Sequence, residues 1–530
     1  MSSEENQQIE KKSPSLLRSS AVVSSMTMVS RVLGLLRDIV FAPLLGAGGS
    51  ADAFFVAFKI PNFLRRLFAE GAFAQAFVPV LSEYRANGST AAVRHFIDRV
   101  AGCLGVTLVG ITAFVVVASP VVTSVFGAGF LLKYPEQFDL TADLLRITFP
   151  YLLLISLTGF AGAILNSYDR FAVPAFTPVF LNVVLIIAAM FVSPLFEEPA
   201  FALAWGVLVA GVIQFAFQVP FLARLGLLPH PKVDWSDESV NKVLKLMAPA
   251  MFGVSVSQIN LMLDTILATF LPSGSISWLY FSDRLVELPL GVFGVGIATV
   301  ILPKLSRLHA KGAEEFSDTL DWAIRMILLI ALPAALALLV LAEPLLFTLF
   351  QYGKYLPQDV RMASFSLQAY ALGLTAFMLI KVLVSGFFSR KDMKTPVKIG
   401  IIAMVANMGL NLAFVLPLHF VWQIGHVGLA LATAASAFLN AGLLYRTLVK
   451  QGVYRGAPGW MIFALRALCA NLLMLGVLVG LAAVLPAFEV LSWWERSLNL
   501  GIYVVAGFLA YCLALIVSGL RPHHLRLQVR

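Results

Sequence analysis

Charged residues are scarce in this chain of 530 residues, where Asp, Glu, Lys and Arg make up 13% and hydrophobic residues 59%. Soluble globular proteins carry about 25% charged residues, so this composition excludes a soluble globule. Cysteine is also rare. Cys103, Cys469 and Cys512 lie far apart in apolar segments without a Cys-x-x-Cys pair, which excludes a disulfide framework. We therefore predict a membrane protein that crosses the bilayer several times.

Long apolar runs are abundant. A helix needs about 20 apolar residues to cross a hydrocarbon core of about 30 Å. Prolines inside the longer runs predict bends at Pro61 and Pro289. The runs predict an all-α fold with 14 transmembrane helices, at residues 18–43, 52–82, 98–127, 141–166, 174–194, 199–225, 242–271, 275–305, 316–342, 362–388, 396–417, 424–448, 458–485 and 497–519.

Positive charge is distributed unevenly between the loops. Alternate loops and both tails hold 24 Lys and Arg, whereas the opposite loops hold four, namely Lys133, Lys354, Arg361 and Arg496. The positive-inside rule therefore predicts that both termini are cytoplasmic. The net charge of +9 follows from this topology, so no nucleic-acid partner is needed to explain it.

Two parts of the chain resemble each other. Residues 79–88 match residues 303–312, and residues 38–55 match residues 264–281 without a gap. The repeat predicts two six-helix lobes in pseudo-two-fold relation, at 16–226 and 227–452, with two further helices in 453–530. A polar tail at 1–15 is predicted to be disordered and cytoplasmic. Transporters built from such repeats bind cargo between the halves and alternate access by rocking one half against the other.

Cationic side chains occur inside the predicted spans or at their rims. Burying one such charge in hydrocarbon costs at least about 2.5 kcal/mol on insertion scales, so the set predicts a water-filled cavity and an anionic cargo. The ten residues are Arg31, Arg37, Lys59, Arg65, Arg66, Arg146, Arg284, Arg325, Lys381 and Arg466. The last three lie near span ends or in later helices, where their side chains can extend to the interface.

Polar residues concentrate in spans 1, 2 and 8, where Arg dominates over Lys. A guanidinium can bind phosphate through two parallel hydrogen bonds, so we expect a pyrophosphate or a similar dianion there. The candidate substrate-binding residues are Ser30, Arg31, Arg37, Asp38, Asp52, Asn62, Arg65, Arg66, Glu70, Ser277, Arg284 and Glu287. The alternative is internal ion pairs, such as Arg65 with Glu70, that only hold helices together.

A second polar group comprises Asp264 in span 7, Asn407 and Asn411 in span 11, and Thr433 in span 12. Its oxygens could coordinate a small monovalent cation, or Asp264 could carry a proton. Asn and Thr also join membrane helices through hydrogen bonds, so both interpretations stay open. We expect no catalytic residue and no other cofactor. Transport could be coupled to Na⁺, to H⁺ or to the membrane potential.

Several motifs resemble one known family. They are Ser30-Arg31-Val32-Leu33-Gly34, Arg37-Asp38, the runs 51–62, 65–72 and 77–79, Tyr280-Phe281-Ser282-Asp283-Arg284-Leu285 and Thr395-Pro396-Val397-Lys398. These motifs are similar to those of the MurJ (MviN) lipid II flippases. That family lies in the superfamily that also holds multidrug and polysaccharide exporters. The resemblance covers essentially the whole chain after about residue 15.

The resemblance implies that lipid II, an undecaprenyl-pyrophosphate-linked peptidoglycan precursor, moves from the inner to the outer leaflet of the bacterial cytoplasmic membrane. It also implies that spans 13 and 14 form a groove for the lipid tail, and it makes lipid II, bilayer lipids and cell-wall synthesis proteins the expected partners. Family residues that line a central cavity match Arg31, Arg37, Asp38, Asp52, Arg65, Arg66, Glu70, Arg284 and Glu287. We expect the pyrophosphate against Arg31, Arg37 and Arg284.

Other functions fit the sequence less well. A cation-coupled exporter of drugs should favour acids over arginines in its cavity, whereas an exporter of another lipid-linked oligosaccharide differs only in cargo. A glycan transferase needs a sizeable aqueous domain, and the longest loops, 83–97, 226–241 and 343–361, are too short for one. A noncatalytic scaffold would not explain the intramembrane arginines.

Overall fold

The computed structural model describes residues 3–67, 73–308 and 312–520, and the side chains at 3–22, 24, 252–254, 257 and 313 lie outside that description. The described chain consists of α-helices, short π- and 3-10-helical segments and connecting turns, and it contains no β-strand within those ranges. Contacts between residues divide the chain into two compact units, Met1–Phe270 and Leu271–Arg530.

The first unit begins with a long helix and ends with another. Its helices are α1 Ser3–Leu45, α2 Gly49–Arg65, α3 Ala74–Asn87, α4 Thr90–Val117, α5 Ser119–Phe126, α6 Ala128–Lys133, α7 Pro135–Thr148, α8 Tyr151–Ser167, α9 Ala172–Phe176, α10 Pro178–Ile187, α11 Pro199–Arg224 and α12 Glu238–Ala268. A π-helical turn, Ala188–Val192, extends α10. Side-chain oxygens cap three of these helices, because Ser89 accepts from the Ala92 amide, Glu198 from the Ala200 amide and Asp237 from the Ser239 amide.

The second unit holds the remaining helices. They are α13 Ser275–Pro289, α14 Val295–Leu308, α15 Ala313–Val340, α16 Ala342–Leu349, α17 Pro357–Phe388, α18 Lys394–Trp422, α19 Gly425–Lys450, α20 Trp460–Val484 and α21 Trp493–Val517. A π-helical segment, Leu290–Gly294, joins α13 to α14. A 3-10 turn, Phe488–Val490, precedes α21.

Eleven helical segments of the described chain are long and apolar enough to cross a membrane. They coincide with eleven of the predicted spans, from the segment Thr90–Val117 to the segment Trp493–Val517. The all-α membrane fold is therefore confirmed. The other predicted spans, 18–43, 52–82 and 242–271, include residues outside the described side chains, so the total of 14 stays a prediction.

The sequence repeat is also a repeat of helix order. In the first unit the 28-residue helix α4 is followed by the 8-residue helix α5, and in the second unit the 28-residue helix α15 is followed by the 8-residue helix α16. The helices α11 and α19 both have 26 residues. These helices of the two halves therefore have matching lengths and order, as expected for a duplication.

Helix α13 shows the break that the sequence predicts at a proline. Pro289 ends α13, and the next five residues are π-helical. Proline lacks the amide donor that an α-helix needs, which favours such a widened turn. Pro61 instead lies inside α2, and π-helical residues follow that helix at 66–67. The two matched spans therefore deviate from α-helix at equivalent places.

Two features differ from the sequence prediction. Helix α1 begins at Ser3, inside the tail expected to be disordered, where Glu, Gln and Lys have good intrinsic helix propensity. Helix α12, the predicted first span of the second lobe, lies in the first compact unit. It is joined to that unit at both ends, because Lys242 Nζ lies 2.6 Å from Glu83 Oε2 and the Gly129 amide donates to Thr269 Oγ1 at 3.0 Å.

Buried aromatic rings pack the helices within each unit. In the first, Phe77 stacks on Phe96 with centroids 5.2 Å apart and lies 5.1 Å from Phe160, so α3 is held against α4 and α8. In the second, Phe281 lies 4.9 Å from Phe350 and 5.2 Å from Tyr355. Lipid tails are as apolar as these rings, so van der Waals fit rather than exclusion from water stabilises the contacts inside the bilayer.

The last two helices are attached to the second unit through polar groups. Asp321 on α15 accepts hydrogen bonds from Tyr454 Oη at 2.7 Å and Trp460 Nε1 at 2.8 Å, and it forms an ion pair with Arg325 at 2.7 Å. At the other end, buried Arg496 on α21 donates to backbone carbonyls that include Phe347 O at 3.2 Å. These contacts fix α20 and α21 to α15 and α16.

Candidate functional site

Arg37 and Asp38 form a buried ion pair on α1. The Nη2 atom of Arg37 lies 2.7 Å from Asp38 Oδ1, and its Nε donates to the same oxygen at 2.9 Å. Arg37 Nη1 donates to Asn182 Oδ1 on α10 at 3.2 Å. Asn182 Nδ2 in turn donates to the Ser30 carbonyl at 3.0 Å. The Arg37 guanidinium is therefore committed to protein partners in this structure.

Arg31 lies on the same helix but in a different environment. Its side chain is partly exposed, and its neighbours Met28, Val29 and Val32 are exposed apolar residues. Arg31 is six residues before Arg37, so the two side chains leave α1 at different azimuths. Of the two α1 arginines expected to contact the pyrophosphate, only Arg31 is accessible to a ligand in this structure.

The first turns of two matched helices carry buried polar residues. Asp52 is 1% exposed in the first turn of α2, where a carboxylate is favoured by the helix dipole. Ser277, in the corresponding turn of α13, is fully buried. Both therefore belong to the interior of their own units, away from open solvent.

The end of α2 presents cations. Arg65 Nε donates to Asn62 Oδ1 at 3.3 Å, and Asn62 Nδ2 donates to the Phe58 carbonyl at 2.8 Å. Arg66 is exposed, as is Lys59. The predicted site residue Glu70 lies outside the described residues, and so does its predicted pairing with Arg65. The helix thus brings Asn62 and Arg65 together and leaves the Arg66 guanidinium accessible.

In the second unit, Arg284 and Glu287 form a loose pair on α13. Arg284 Nη1 lies 3.4 Å from Glu287 Oε2, and the two side chains are 21% and 46% exposed. An accessible ion pair of this length contributes little to stability, typically below about 1 kcal/mol. The contact between Arg284 and Glu287 is therefore a weak one.

The four predicted cation ligands fall in both units. Asp264 lies on α12 of the first unit and is partly buried. Asn407 and Asn411 are fully buried, one turn apart on α18 of the second unit. Thr433 on α19 donates to the Leu429 carbonyl at 2.9 Å. Within the described residues no cluster of three His, Cys, Asp or Glu side chains could hold a metal ion. The monovalent-cation site stays a prediction.

The other intramembrane cations have varied partners. Arg146 pairs with Asp143 at 2.6 Å, and Lys381 is exposed. Arg325, which the sequence predicts to reach the interface, instead pairs with Asp321 and donates to the Ala457 and Pro458 carbonyls. Its charge therefore holds α20 in place. Arg325 Cζ also lies 4.9 Å from the centre of the Trp460 ring.

Two residues that matter for these contacts are absent from the predicted site. Asn182 bridges α10 to Arg37 and to the Ser30 carbonyl. Asp321 receives the polar groups of the α19–α20 connection. Each is a polar residue within a predicted apolar span or at its edge, and intramembrane polar groups usually have a partner. That signal was available in the sequence, but it does not identify the partner.

The fold resembles those of solved membrane transport proteins. An inward-facing multidrug resistance MATE family transporter of the MOP superfamily has a TM-score of 0.64 at 15% identity, over 82% of this chain and 98% of the other. That likeness concerns the fold. The structure titled lipid II flippase MurJ, inward closed conformation, has a TM-score of 0.79 at 27% identity, over 93% of this chain and 98% of the other. The fold is thus that of a multi-pass membrane transporter.

The sequence comparisons identify the family within that class. The family model described as lipid II flippase MurJ matches residues 41–499. A probable lipid II flippase MurJ of Vibrio cholerae serotype O1 is 51% identical over 96% of this chain and 98% of its own length. A probable lipid II flippase MurJ of Haemophilus influenzae is 48% identical over 94% and 99%. The chain belongs to the MurJ lipid II flippase family, which confirms the predicted family.

Proposed function

We propose that this protein is a lipid II flippase that moves the undecaprenyl-pyrophosphate-linked precursor of peptidoglycan from the inner to the outer leaflet of the bacterial cytoplasmic membrane. The observation that carries the proposal is the 51% identity to a probable lipid II flippase over 96% of the chain. The repeated helix plan of the two units supports alternating access, in which one half moves against the other.

Accessible arginines support a pyrophosphate cargo. In the first unit Arg31 is partly exposed and Arg66 is exposed, and in the second unit Arg284 is partly exposed beside Glu287. Guanidinium groups bind phosphate through paired, charge-assisted hydrogen bonds. We assign these three residues to the pyrophosphate. The other predicted site residues support the helices that carry these arginines. They are Ser30, Asp38, Asp52, Asn62, Arg65, Glu70, Ser277 and Glu287.

Arg37 receives a revised role. The sequence suggests direct contact with the pyrophosphate, but the structure shows its guanidinium buried against Asp38 and Asn182. We therefore propose that Arg37 is a positioning residue that fixes α1 against α10. Arg31, six residues earlier on α1, is then held at a defined place.

Membrane placement and coupling complete the proposal. The bias of 24 against four basic residues supports cytoplasmic termini in the inner membrane.

We propose that Na⁺, H⁺ or the membrane potential drives transport, with Asp264, Asn407, Asn411 and Thr433 as the candidate ion ligands. No bond is made or broken in this transport cycle, so we assign no catalytic residue. Cell-wall synthesis proteins are compatible partners.

The decisive experiment is reconstitution of the purified protein into liposomes with fluorescent lipid II, scored by the fraction of label that an external reagent reaches. Sodium, pH and voltage gradients are varied one at a time. We expect lipid II to cross the bilayer faster than in liposomes without the protein. A cationic dye should not be transported. Dye transport without lipid II transport would instead favour the cation-coupled drug exporter.

A further inference from the structure

The connections that follow α11 and α19 begin in the same way. Both helices have 26 residues, and two residues after each comes a glycine in the left-handed conformation, Gly226 with φ 67° and Gly452 with φ 69°. The next amide donates to the carbonyl five residues earlier, at 3.1 Å from Leu227 and at 3.0 Å from Val453. This pattern is a common helix end in which glycine is preferred. The connections 226–237 and 451–459 therefore start with equivalent backbone geometry.

Matched carboxylates hold the two connections. The helices α4 and α15 both have 28 residues, and the ninth residue of each is an aspartate, Asp98 and Asp321. Asp98 Oδ1 accepts from the His230 amide at 2.7 Å, and the Asp98 carbonyl accepts from the Lys232 amide at 3.0 Å. Asp321 Oδ1 accepts from the Ala457 amide at 3.3 Å. Each carboxylate thus binds the backbone that follows the last helix of its own half.

The fifth residue of each helix adds a second contact. Arg94 Nε donates to the Gly226 carbonyl at 2.8 Å. Ser317 Oγ donates to the Arg455 carbonyl at 3.0 Å and accepts from the Arg455 amide at 2.8 Å. Residues four apart lie on one face of a helix. One face of α4 and one face of α15 therefore bind a backbone carbonyl and a backbone amide of the same connection.

The carboxylate in the second unit has more partners. The Oδ1 atom of Asp321 also accepts from Tyr454 Oη at 2.7 Å and from Trp460 Nε1 at 2.8 Å, and Oδ2 lies 2.7 Å from Arg325 Nε. Asp321 is buried, whereas Asp98 is partly exposed. The role of Asp98 therefore needs an acceptor oxygen, and the role of Asp321 needs its charge as well.

The helix after each connection packs on the helix that holds the connection. Val240 and Val243 of α12 lie in one buried cluster with Val100 of α4. Phe463 of α20 lies in one buried cluster with Leu329 of α15. The helix α12 is thus related to α4 as α20 is related to α15. This relation explains why α12, the predicted first span of the second lobe, lies in the first compact unit.

We infer that these side chains form two matched anchors, Arg94 with Asp98 in the first unit and Ser317 with Asp321 in the second. Each anchor fixes the connection after its half, and with it the start of the next helix, to the unit that precedes it. The anchor residues are positioning residues for transport, because they keep α12 with the first unit and α20 with the second as access alternates. The transport role rests on the proposed function, whereas the anchoring does not.

Hydrogen exchange of the full chain in nanodiscs tests the anchoring, because exchange reports local opening. Asp98→Ala should raise exchange in residues 226–237 at least about fivefold and leave residues 451–459 unchanged, since each connection loses only its own partner. Asp321→Ala should do the reverse. Asp318→Ala, at an exposed position of α15, should change neither connection. Faster exchange in both connections, or in neither, for either anchor variant would overturn the inference.

Conservative variants separate hydrogen bonding from charge. Asp98→Asn keeps an acceptor oxygen, so exchange should stay within about twofold of the unchanged protein. Asp321→Asn keeps an oxygen but removes the charge that faces Arg325, so the second connection should still loosen. Exchange as fast in Asp98→Asn as in Asp98→Ala would refute the acceptor role of Asp98.

Smaller changes test each anchor if an aspartate variant does not fold. Arg94→Leu removes the donor to the Gly226 carbonyl from an exposed side chain, and Ser317→Ala removes only a hydroxyl group. We expect each to raise exchange in the connection of its own unit only. Unchanged protection in both variants would overturn the inference as well.

Translocation of fluorescent lipid II in liposomes tests the positioning role. Asp98→Ala and Ser317→Ala should lower the maximal rate at least about fivefold, because the loosened helix no longer moves with its unit. The lipid II concentration that gives half the maximal rate should stay within about twofold, since neither residue is assigned to the cargo, and Asp98→Asn should restore the rate. A loosened connection with an unchanged rate would overturn the positioning role. Failure of the unchanged protein to move lipid II would refute the proposed function and leave the exchange result standing.

Discussion

Asn182 accepts a hydrogen bond from Arg37 and donates one to the Ser30 carbonyl, which ties the middle of α10 to two turns of α1. The amide side chain is 7% exposed, so water cannot readily replace either bond. Loss of one partner of a buried hydrogen bond costs about 1–3 kcal/mol. Asn182 therefore orients the guanidinium of Arg37 and the helix that carries Arg31.

The Asn182→Ala variant should insert normally but translocate lipid II more slowly than the unchanged protein, because Arg37 loses its partner on α10. The measurement is the initial rate of translocation in liposomes at equal protein content. Asn471→Ala is the control, since Asn471 is also buried but donates only to Ala467 O on its own helix among the hydrogen bonds described. Equal rates for both variants would refute the positioning role of Asn182.

The Asp38→Asn variant should lower the free energy of unfolding by about 3–5 kcal/mol, because it leaves the buried Arg37 charge without its counter-ion. Replacing both residues, as Arg37→Leu with Asp38→Leu, should restore most of that stability, since a buried ion pair can often be exchanged for apolar side chains. Thermal unfolding in detergent measures both effects. Transport should be lost in the double variant, and full transport there would show that Arg37 is dispensable.

The Arg66→Ala variant should bind lipid II more weakly by about 10- to 150-fold, the equivalent of one charge-assisted hydrogen bond worth about 1.5–3 kcal/mol. Binding is measured by titration in detergent at two salt concentrations. Arg146→Ala serves as the control, because that arginine is accessible but paired with Asp143. A similar loss for both variants would point to a general charge effect rather than to a phosphate contact at Arg66.

The connection between α11 and α12 should loosen in acid. Hydrogen bonds from Ser236 lower the pKa of Asp234, and for Asp237 burial raises the pKa but hydrogen bonds from Ser239 outweigh it and lower the pKa overall. Both folded pKa values therefore lie below the unfolded value of about 3.9. The stability they contribute is present above that pH and is lost as the pH falls through the folded values.

We accordingly expect amide hydrogen exchange in residues 226–237, corrected for the intrinsic rate, to rise below about pH 4. The double variant Asp234→Asn with Asp237→Asn should exchange faster at neutral pH and show little further change in acid. Unchanged protection of this segment in the double variant would mean that the carboxylates do not hold it.

Apolar run length was enough to predict the all-α membrane fold, since a helix that crosses the bilayer must satisfy its own backbone groups. The repeat predicted the equivalent helix plan of the two units. The ion-pair and hydrogen-bond partners of single side chains were harder to predict. Arg325 looked free to extend to the interface, but Asp321 lies one turn away and the α19–α20 connection supplies carbonyl groups. The spacing along α15 could suggest Asp321 as a partner of Arg325, whereas the carbonyl partners depend on tertiary structure.

The site shows the same limit. Arg31 and Arg37 are both predicted to contact the pyrophosphate, but the structure buries the Arg37 guanidinium against Asp38 and Asn182 and leaves Arg31 partly exposed. Likewise, α12 matches α1 in the repeat but lies in the first compact unit. The unit to which a helix belongs depends on which of two similar surfaces it packs against. The hydrophobic pattern of the helix is the same in either case, so it could not predict the placement of α12.

The π-helical segment Leu290–Gly294 has one further consequence. A π-helical turn accommodates one more residue than an α-helical turn, so it offsets the side chains on either side of it by about 100° around the axis. The direction in which Arg284 points relative to α14 is thus set by a single inserted peptide unit. Deleting one residue from this segment would rotate the Arg284 side chain to another face relative to α14. The residues next to Arg284 in the sequence would stay the same.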